Sequence, residues 1–318
     1  MASKAVFKKS TLLVALAVLA TSWPSLADSG QASEIVARPG EAVAATIEGK
    51  PVELRIVSAG PDRLVINAAS ADRLGLKPAM FVGRASLNVA GRREFEGKNR
   101  PVDFVLEGVA QKGRALWFPA APPEPGDGTI GPWGLAQSRV TLVFGADDPS
   151  AQRSDFPLFG SASNGSVTGY REESFGLYAA FDLDDSSEYP VASAAAGAAI
   201  AKAYGGQLSG PTWDVEILFG IKRPVRLMTL DRPFKFGPLS FTKIAVRVRD
   251  RIDAGGRGEE IKDADQIEDP SEVVVTATAK GRPPIFSLTI PRAAMAACSK
   301  LSFDKGAKRI ELWCKPVG

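Results

Sequence analysis

Residues 51–76 read PVELRIVSAGPDRLVINAASADRLGL. Val52, Leu54 and Ile56 alternate with Glu53 and Arg55, the period of two that marks a half-buried strand. Gly60, Pro61 and Asp62 then interrupt the pattern as turn residues do. Leu64-Val65-Ile66 forms a second apolar strand and runs into Asn67, a residue type suited to an N-cap. A short helix follows and stops near Gly75, where glycine admits the left-handed conformation. The stretch is therefore strand, turn, strand, helix, and it sets the expectation for the rest of the chain.

Upstream, AVAATIEGKPVELRIV gives two short alternating strands around a Gly49-Lys50-Pro51 turn. Downstream, Ala85 to Phe118 alternates apolar and polar residues, with turn signals at Gly91, Gly97 and Gly113, and reads as a β-meander. A Pro-rich loop spans Pro119 to Pro125, and DGTIGPWGL (127–135) and RVTLVFG (139–145) close a first unit, expected over residues 42–150. The Asp-, Ser-, Gly- and Pro-rich residues that follow suggest a linker at 151–169. A second unit, 170–316, repeats the order: LYAAFDLDD (177–185), a small-residue helix ending at Gly205-Gly206, further strands, a charged insert at 253–271, and a closing hairpin. Shared order in both halves is the mark of an internal repeat. Short apolar runs rich in Val, Ile, Leu and Phe, with 31 Gly and 23 Pro, favour a mostly-β fold over a helical bundle.

The first 27 residues carry Lys4, Lys8 and Lys9, an apolar run from Leu12 to Ala20, and Ser25-Leu26-Ala27. That is the pattern of a cleavable export signal, with a run too short to span a membrane. The expectation is a protein exported to the periplasm or beyond, cut near Ala27, with a flexible start at 28–41 and no integral membrane span. Removing the three lysines from 39 basic residues leaves 36 against 36 acidic ones. The mature chain is formally neutral, which argues against nucleic acid as a partner.

The chain has no histidine, which excludes Ser-His-Asp and Cys-His nucleophile pairs and the usual zinc and haem ligand sets. No metal or other cofactor is expected. The two cysteines, Cys298 and Cys314, flank a strand, a Lys-Gly turn and a strand, and in an exported protein they are expected to form a disulfide.

The repeated strand-turn-strand-helix element resembles the retropepsin-like aspartic peptidases that bacteria export. In that family an apolar strand delivers Asp-Thr-Gly, and a strand and a helix ending in a Leu-Gly-Leu-like sequence follow. The resemblance implies two pseudo-twofold-related β-rich lobes around a cleft, over roughly residues 42–316. It places Ser58 on the first catalytic aspartate, Ala59 on the threonine and Gly60 on the glycine. In the second unit it places Asp184 on the aspartate, Asp185 on the threonine and Ser186 on the glycine. Thr129-Ile130-Gly131 matches a later motif of the family, for which the second unit offers Thr289-Ile290-Pro291.

One carboxylate in place of two implies a crippled hydrolase, because the family's mechanism shares a proton between two carboxylates. The expected function is therefore that of a pseudoenzyme binding a peptide or unfolded protein segment in the cleft, with Gly60, Trp117, Trp133 and Asp185 as candidate contacts. Two alternatives stand beside it: an active endopeptidase with an unorthodox dyad, and an envelope interaction protein. The last rests on Glu272 and the run from Val273 to Ala279, which resembles the box by which outer-membrane receptors engage TonB. Asp182, Asp184, Asp185 and Glu188 also read as a solvated acidic loop or a weak calcium site.

Overall fold

The computed structural model describes residues 34–89, 93–161, 165–248 and 286–316. The expected leader at 1–27, the insert at 253–271 and the run at 273–279 lie outside the described residues.

Strand β1 (Glu34–Ala37) precedes the hairpin of β2 (Ala42–Ile47) and β3 (Lys50–Ile56). The connection is Glu48-Gly49, both with positive φ (50° and 75°), a geometry whose twist suits antiparallel neighbours. Next come β4 (Leu64–Ile66), α1 (Ala68–Leu74), β5 (Arg84–Val89), β6 (Arg93–Leu106), β7 (Val109–Trp117) and β8 (Gly128–Ile130). Helix α1 stops at Gly75 (φ 70°), as expected. Asn67 precedes the helix without capping it by its side chain: its amide donates to the carbonyls of Glu124 and Gly126 and accepts the Glu124 N–H, pinning the Pro-rich loop.

The chain continues through β9 (Arg139–Val143), β10 (Gln152–Pro157), β11 (Phe159–Ser161), β12 (Gly165–Arg171), β13 (Gly176–Asp182) and β14 (Val191–Ala192) to α2 (Ala194–Tyr204). The Ser193 hydroxyl caps α2 by accepting the Ala196 N–H, and Gly205 (φ 76°) ends it. Then follow β15 (Gly206–Leu218), β16 (Ile221–Phe236), β17 (Leu239–Arg247), β18 (Ser287–Pro291), β19 (Cys298–Asp304) and β20 (Arg309–Cys314).

The protein is mostly β. One sheet has the order β2-β3-β8-β4-β7-β6-β5, and β2 also pairs with β6, which closes six of its strands into a barrel. A second sheet runs β12-β13-β18-β14-β17-β16-β15, with β11 added at its edge. The two orders correspond strand for strand. So do the directions: β3 and β13 run parallel to the inserted β8 and β18, and β4 and β14 run antiparallel to them. In both sheets a late strand is threaded between two early ones, just beyond the turns quoted above.

A third sheet, β1-β9-β19-β20-β10, gathers strands from the beginning, middle and end of the chain, and it corrects three expectations. Residues 34–37 are not a flexible start, because β1 pairs in parallel with β9 and buries Ile35. Residues 151–169 are not a linker: β10 pairs with β20, and Phe156 stacks on Phe236 at 5.3 Å. The last strands belong with β9 rather than with the second unit. Glu311 of β20 is fully buried in this sheet, and Arg139, Arg153 and Arg309 converge on its carboxylate. A buried charge requires such partners.

Gly97 and Gly113 are not turns either. Both lie inside strands, and a Cβ at Gly97 would lie 2.5 Å from the Phe118 ring, at Gly113 2.9 Å from that of Phe104. The glycines make room for aromatic rings from the neighbouring strand. The Cys298–Cys314 disulfide is formed, between Cα partners of β19 and β20. Among the described residues no helix is long and apolar enough to cross a membrane.

Candidate functional site

Strand β3 ends at Ile56, and the chain turns through Val57-Ser58-Ala59-Gly60. The Val57 N–H donates to the Ile130 carbonyl at 3.0 Å, and the Gly60 N–H to the Val57 carbonyl at 2.9 Å. The turn is packed backbone against backbone: a Cβ on Gly131 would lie 2.0 Å from the Gly60 oxygen, and one on Gly165 2.4 Å from the same atom. Only glycine fits at those two positions, and Gly165 also has φ of 62°. Gly60 is therefore a buried packing residue, a different part from that of the ligand contact expected of it.

From the second sheet, β13 ends at Asp182, followed by Leu183-Asp184-Asp185. The two turns meet. Ser58 is wholly buried, and its hydroxyl accepts the backbone N–H of Leu183 at 2.9 Å. Beside this bridge, Arg55 of β3 donates to the Asp184 carboxylate at 2.5 Å and stands 3.9 Å from Glu124. Phe219, at the turn of the β15–β16 hairpin, forms a further contact between the sheets, 5.6 Å from Phe95 and 5.5 Å from Phe118 between ring centroids.

Strand register fixes which residues of the two turns correspond. Ile56 pairs with Ile130 and Phe181 with Ile290, so the next residues, Val57 and Asp182, occupy matching places. Ser58 then matches Leu183. Beyond the turns, Val65 pairs with Thr129 and Val191 with Thr289, so the second turn holds one residue more than the first. Counting back from the helices puts Ser58 against Asp184; counting forward from β3 and β13 puts Val57 against Asp182. The ladders entering the turns, β3 with β8 and β13 with β18, follow the second count, and those leaving them, β4 with β8 and β14 with β18, follow the first. On the count from the entering strands Ser58 and Asp184 are one residue out of step, and their side chains serve the bridge and the Arg55 ion pair.

Asp182 is the residue that sequence reasoning passed over, noting it only as part of an acidic loop. Its Oδ1 accepts the Asp184 N–H at 3.1 Å. Burial pushes its carboxyl up to about 6; the charges of Asp185 and Asp184 add to this and the Asp184 N–H opposes it. Asp184 is also raised by burial, against the pull of the Arg55 guanidinium and then of Arg292. The signal was present in the alternation of β13: Leu177, Ala179 and Phe181 face inward, and Asp182 is the first residue past them. The acidic loop is not freely solvated, since Asp182 and Asp185 each accept a backbone N–H and Asp184 holds Arg55.

Trp117 is 2% exposed within the main core, so it cannot contact a ligand as expected. Trp133 is half-buried against the same core, its ring filling the space where a Cβ of Gly160 would stand. Asp185 and Ser186 line a pocket of about 490 Å³ together with Phe144, Arg292 and Met295.

The chain matches no protein-family model and no curated protein. Its chemistry must accordingly be argued from the junction itself. That junction holds two raised carboxyls, at Asp182 and at the Arg55-paired Asp184, and an aliphatic side chain, Val57, in the place corresponding to Asp182.

Proposed function

We propose that this protein is a catalytically silent relative, in architecture, of the bilobed aspartic peptidases, and that it binds extended peptide segments where its two repeated sheets meet. The repeated strand order, with a late strand threaded behind each turn, supports the architectural part. The observation that carries the functional part is the correspondence of Val57 with Asp182.

Hydrolysis of the aspartic type needs two facing carboxylates, one ionised to activate water and one protonated to polarise the carbonyl. Val57 cannot ionise, and no water can be activated by a methyl group. Asp182 keeps the second half of the chemistry: with its carboxyl raised to about 6, it is protonated in mildly acidic solution and donates a hydrogen bond to a peptide carbonyl. Binding survives in this arrangement and cleavage does not. Ser58 plays a positioning part by tying the two turns together through Leu183.

The test is fluorescence anisotropy with labelled unstructured peptides and the full chain. Saturable binding that strengthens as the solution is acidified through about pH 6, and that weakens about tenfold in Asp182→Ala, is expected for the loss of one hydrogen bond to a partly buried acid. Binding indifferent to both pH and Asp182 would remove the junction as the site.

A further inference from the structure

Three consecutive large apolar residues stand in solvent: Met80 is 89% exposed, Phe81 93% and Val82 64%. They occupy the turn between α1 and β5, and that turn is held from below. The Ala79 N–H donates to the Asn99 carbonyl at 3.0 Å and the Asn99 N–H to the Gly83 carbonyl at 2.9 Å. The Asn99 amide donates to the carbonyls of Val82 and Arg84 at 3.0 and 2.8 Å. Arg114 in turn donates to the Asn99 oxygen at 2.6 Å and fixes the orientation of the amide. Asn99 itself is buried, and Gly83 is so tightly enclosed that a Cβ would lie 2.2 Å from the Ala79 oxygen. Backbone anchored in this way holds Met80, Phe81 and Val82 out in solvent as an apolar tip.

The tip is flanked by cations. Lys77 is exposed three residues before Met80, and Arg84 follows Val82 by two. Arg84 lies directly opposite Lys98 in the β5–β6 ladder, and both are exposed. Like charges facing across a strand pair cost stability. Among the described residues no carboxylate forms an ion pair with Lys77, Arg84 or Lys98. The nearest described acid of the ladder, Glu96, stands opposite Ser86, on the same face and diagonal to Arg84, and forms no ion pair with it. Apolar side chains that need to leave water, set beside exposed cations, fit a medium that is apolar within and anionic at its face.

We infer that the 80–82 turn is a docking tip for an anionic lipid bilayer: Met80, Phe81 and Val82 enter the acyl boundary while Lys77, Arg84 and Lys98 lie against the headgroups. This is independent of the peptide site and survives its failure. The overall neutrality of the chain does not oppose it, because screening confines the attraction to charges within about 8 Å of the surface at physiological salt.

The test is co-sedimentation of the full chain with vesicles of phosphatidylglycerol and phosphatidylcholine, against vesicles of phosphatidylcholine alone. Variants share the same N-terminus, so any lipid affinity of the apolar run from Leu12 to Ala20 is common to all of them. Wild type is expected to favour the anionic vesicles. Phe81→Ser should weaken partitioning about tenfold or more, since one exposed aromatic ring is withdrawn from the boundary. Arg84→Glu with Lys98→Glu should abolish the preference for anionic lipid, and added salt should mimic it. All three substitutions are at the surface, and unchanged melting temperatures would establish that folding is intact. Equal partitioning of wild type and Phe81→Ser overturns the inference. A dimer in lipid-free solution that Phe81→Ser dissociates also overturns it, because a second copy would then be what covers the tip.

Discussion

Replacing Asp182 by Asn separates its charge from its shape. In the folded protein its carboxyl titrates at about 6, against 3.8 for an unperturbed group. A difference of about two units, at about 1.36 kcal/mol each, makes the protonated form favoured by folding by about 3 kcal/mol. The folded state binds this proton more tightly than the unfolded chain does. The contribution of Asp182 is therefore fully present below pH 3.8, is lost as pH rises through the window from 3.8 to about 6, and stays lost above it. Asn preserves the acceptor for the Asp184 N–H and carries no charge at any pH. Urea unfolding followed by tryptophan fluorescence, repeated at intervals from about pH 4 to about pH 7, should show Asp182→Asn gaining on wild type by about 3 kcal/mol across that span. Titrating groups remote from Asp182 are common to both proteins and cancel in the difference, and only Asp184 and Asp185, whose charges act on Asp182, are left coupled to the substitution. Two parallel stability curves would refute the argument, because they would mean that Asp182 is as well solvated folded as unfolded.

Ser58→Ala leaves the Leu183 N–H without its acceptor in a buried place, and should cost about 1–3 kcal/mol by urea denaturation. The loss should come with weaker peptide binding, since the two turns are no longer tied. Cys298→Ser opens the bridge of sequence separation 16 and should cost about 3 kcal/mol, and thiol labelling of the folded wild-type protein should find no free cysteine.

Local structure was legible because local chemistry dictates it. The Asn67 boundary, the Gly75 and Gly205 stops and the cysteine hairpin all follow from residues within one or two turns of each other. The third sheet was not legible. Pairing Glu34 with Arg139, or Gln152 with Cys314, joins segments more than a hundred residues apart, and no periodicity within either segment reports it. Pro157 and Gly160 broke the alternation around β10 and β11, so strands resembled a linker. Trp117 was a candidate contact because a Pro-rich loop follows it, yet it lies in the core, where large aromatics mostly go.

The site was half legible for a related reason. The motif was found by its helix and its Leu-Gly-Leu ending, and the helix is the end from which the second turn is one residue too long. Counting from the helix selected Ser58 and Asp184, whose side chains build the connection between the sheets. Counting from the strands selects Val57 and Asp182. A single inserted residue is invisible to composition and spacing, and only the ladder of β3 with β8 and of β13 with β18 reveals it.

Mass spectrometry of unstructured peptides incubated with the full chain between about pH 4 and about pH 6, where a shared-proton dyad would be active, tests the lack of a facing carboxylate pair most directly. Wild type should bind these peptides and return them intact, and Val57→Asp, which supplies the second carboxylate, should be the variant in which any pepstatin-sensitive cleavage emerges. Robust cleavage by wild type that disappears in Asp182→Asn would show a working catalytic site and contradict the proposal.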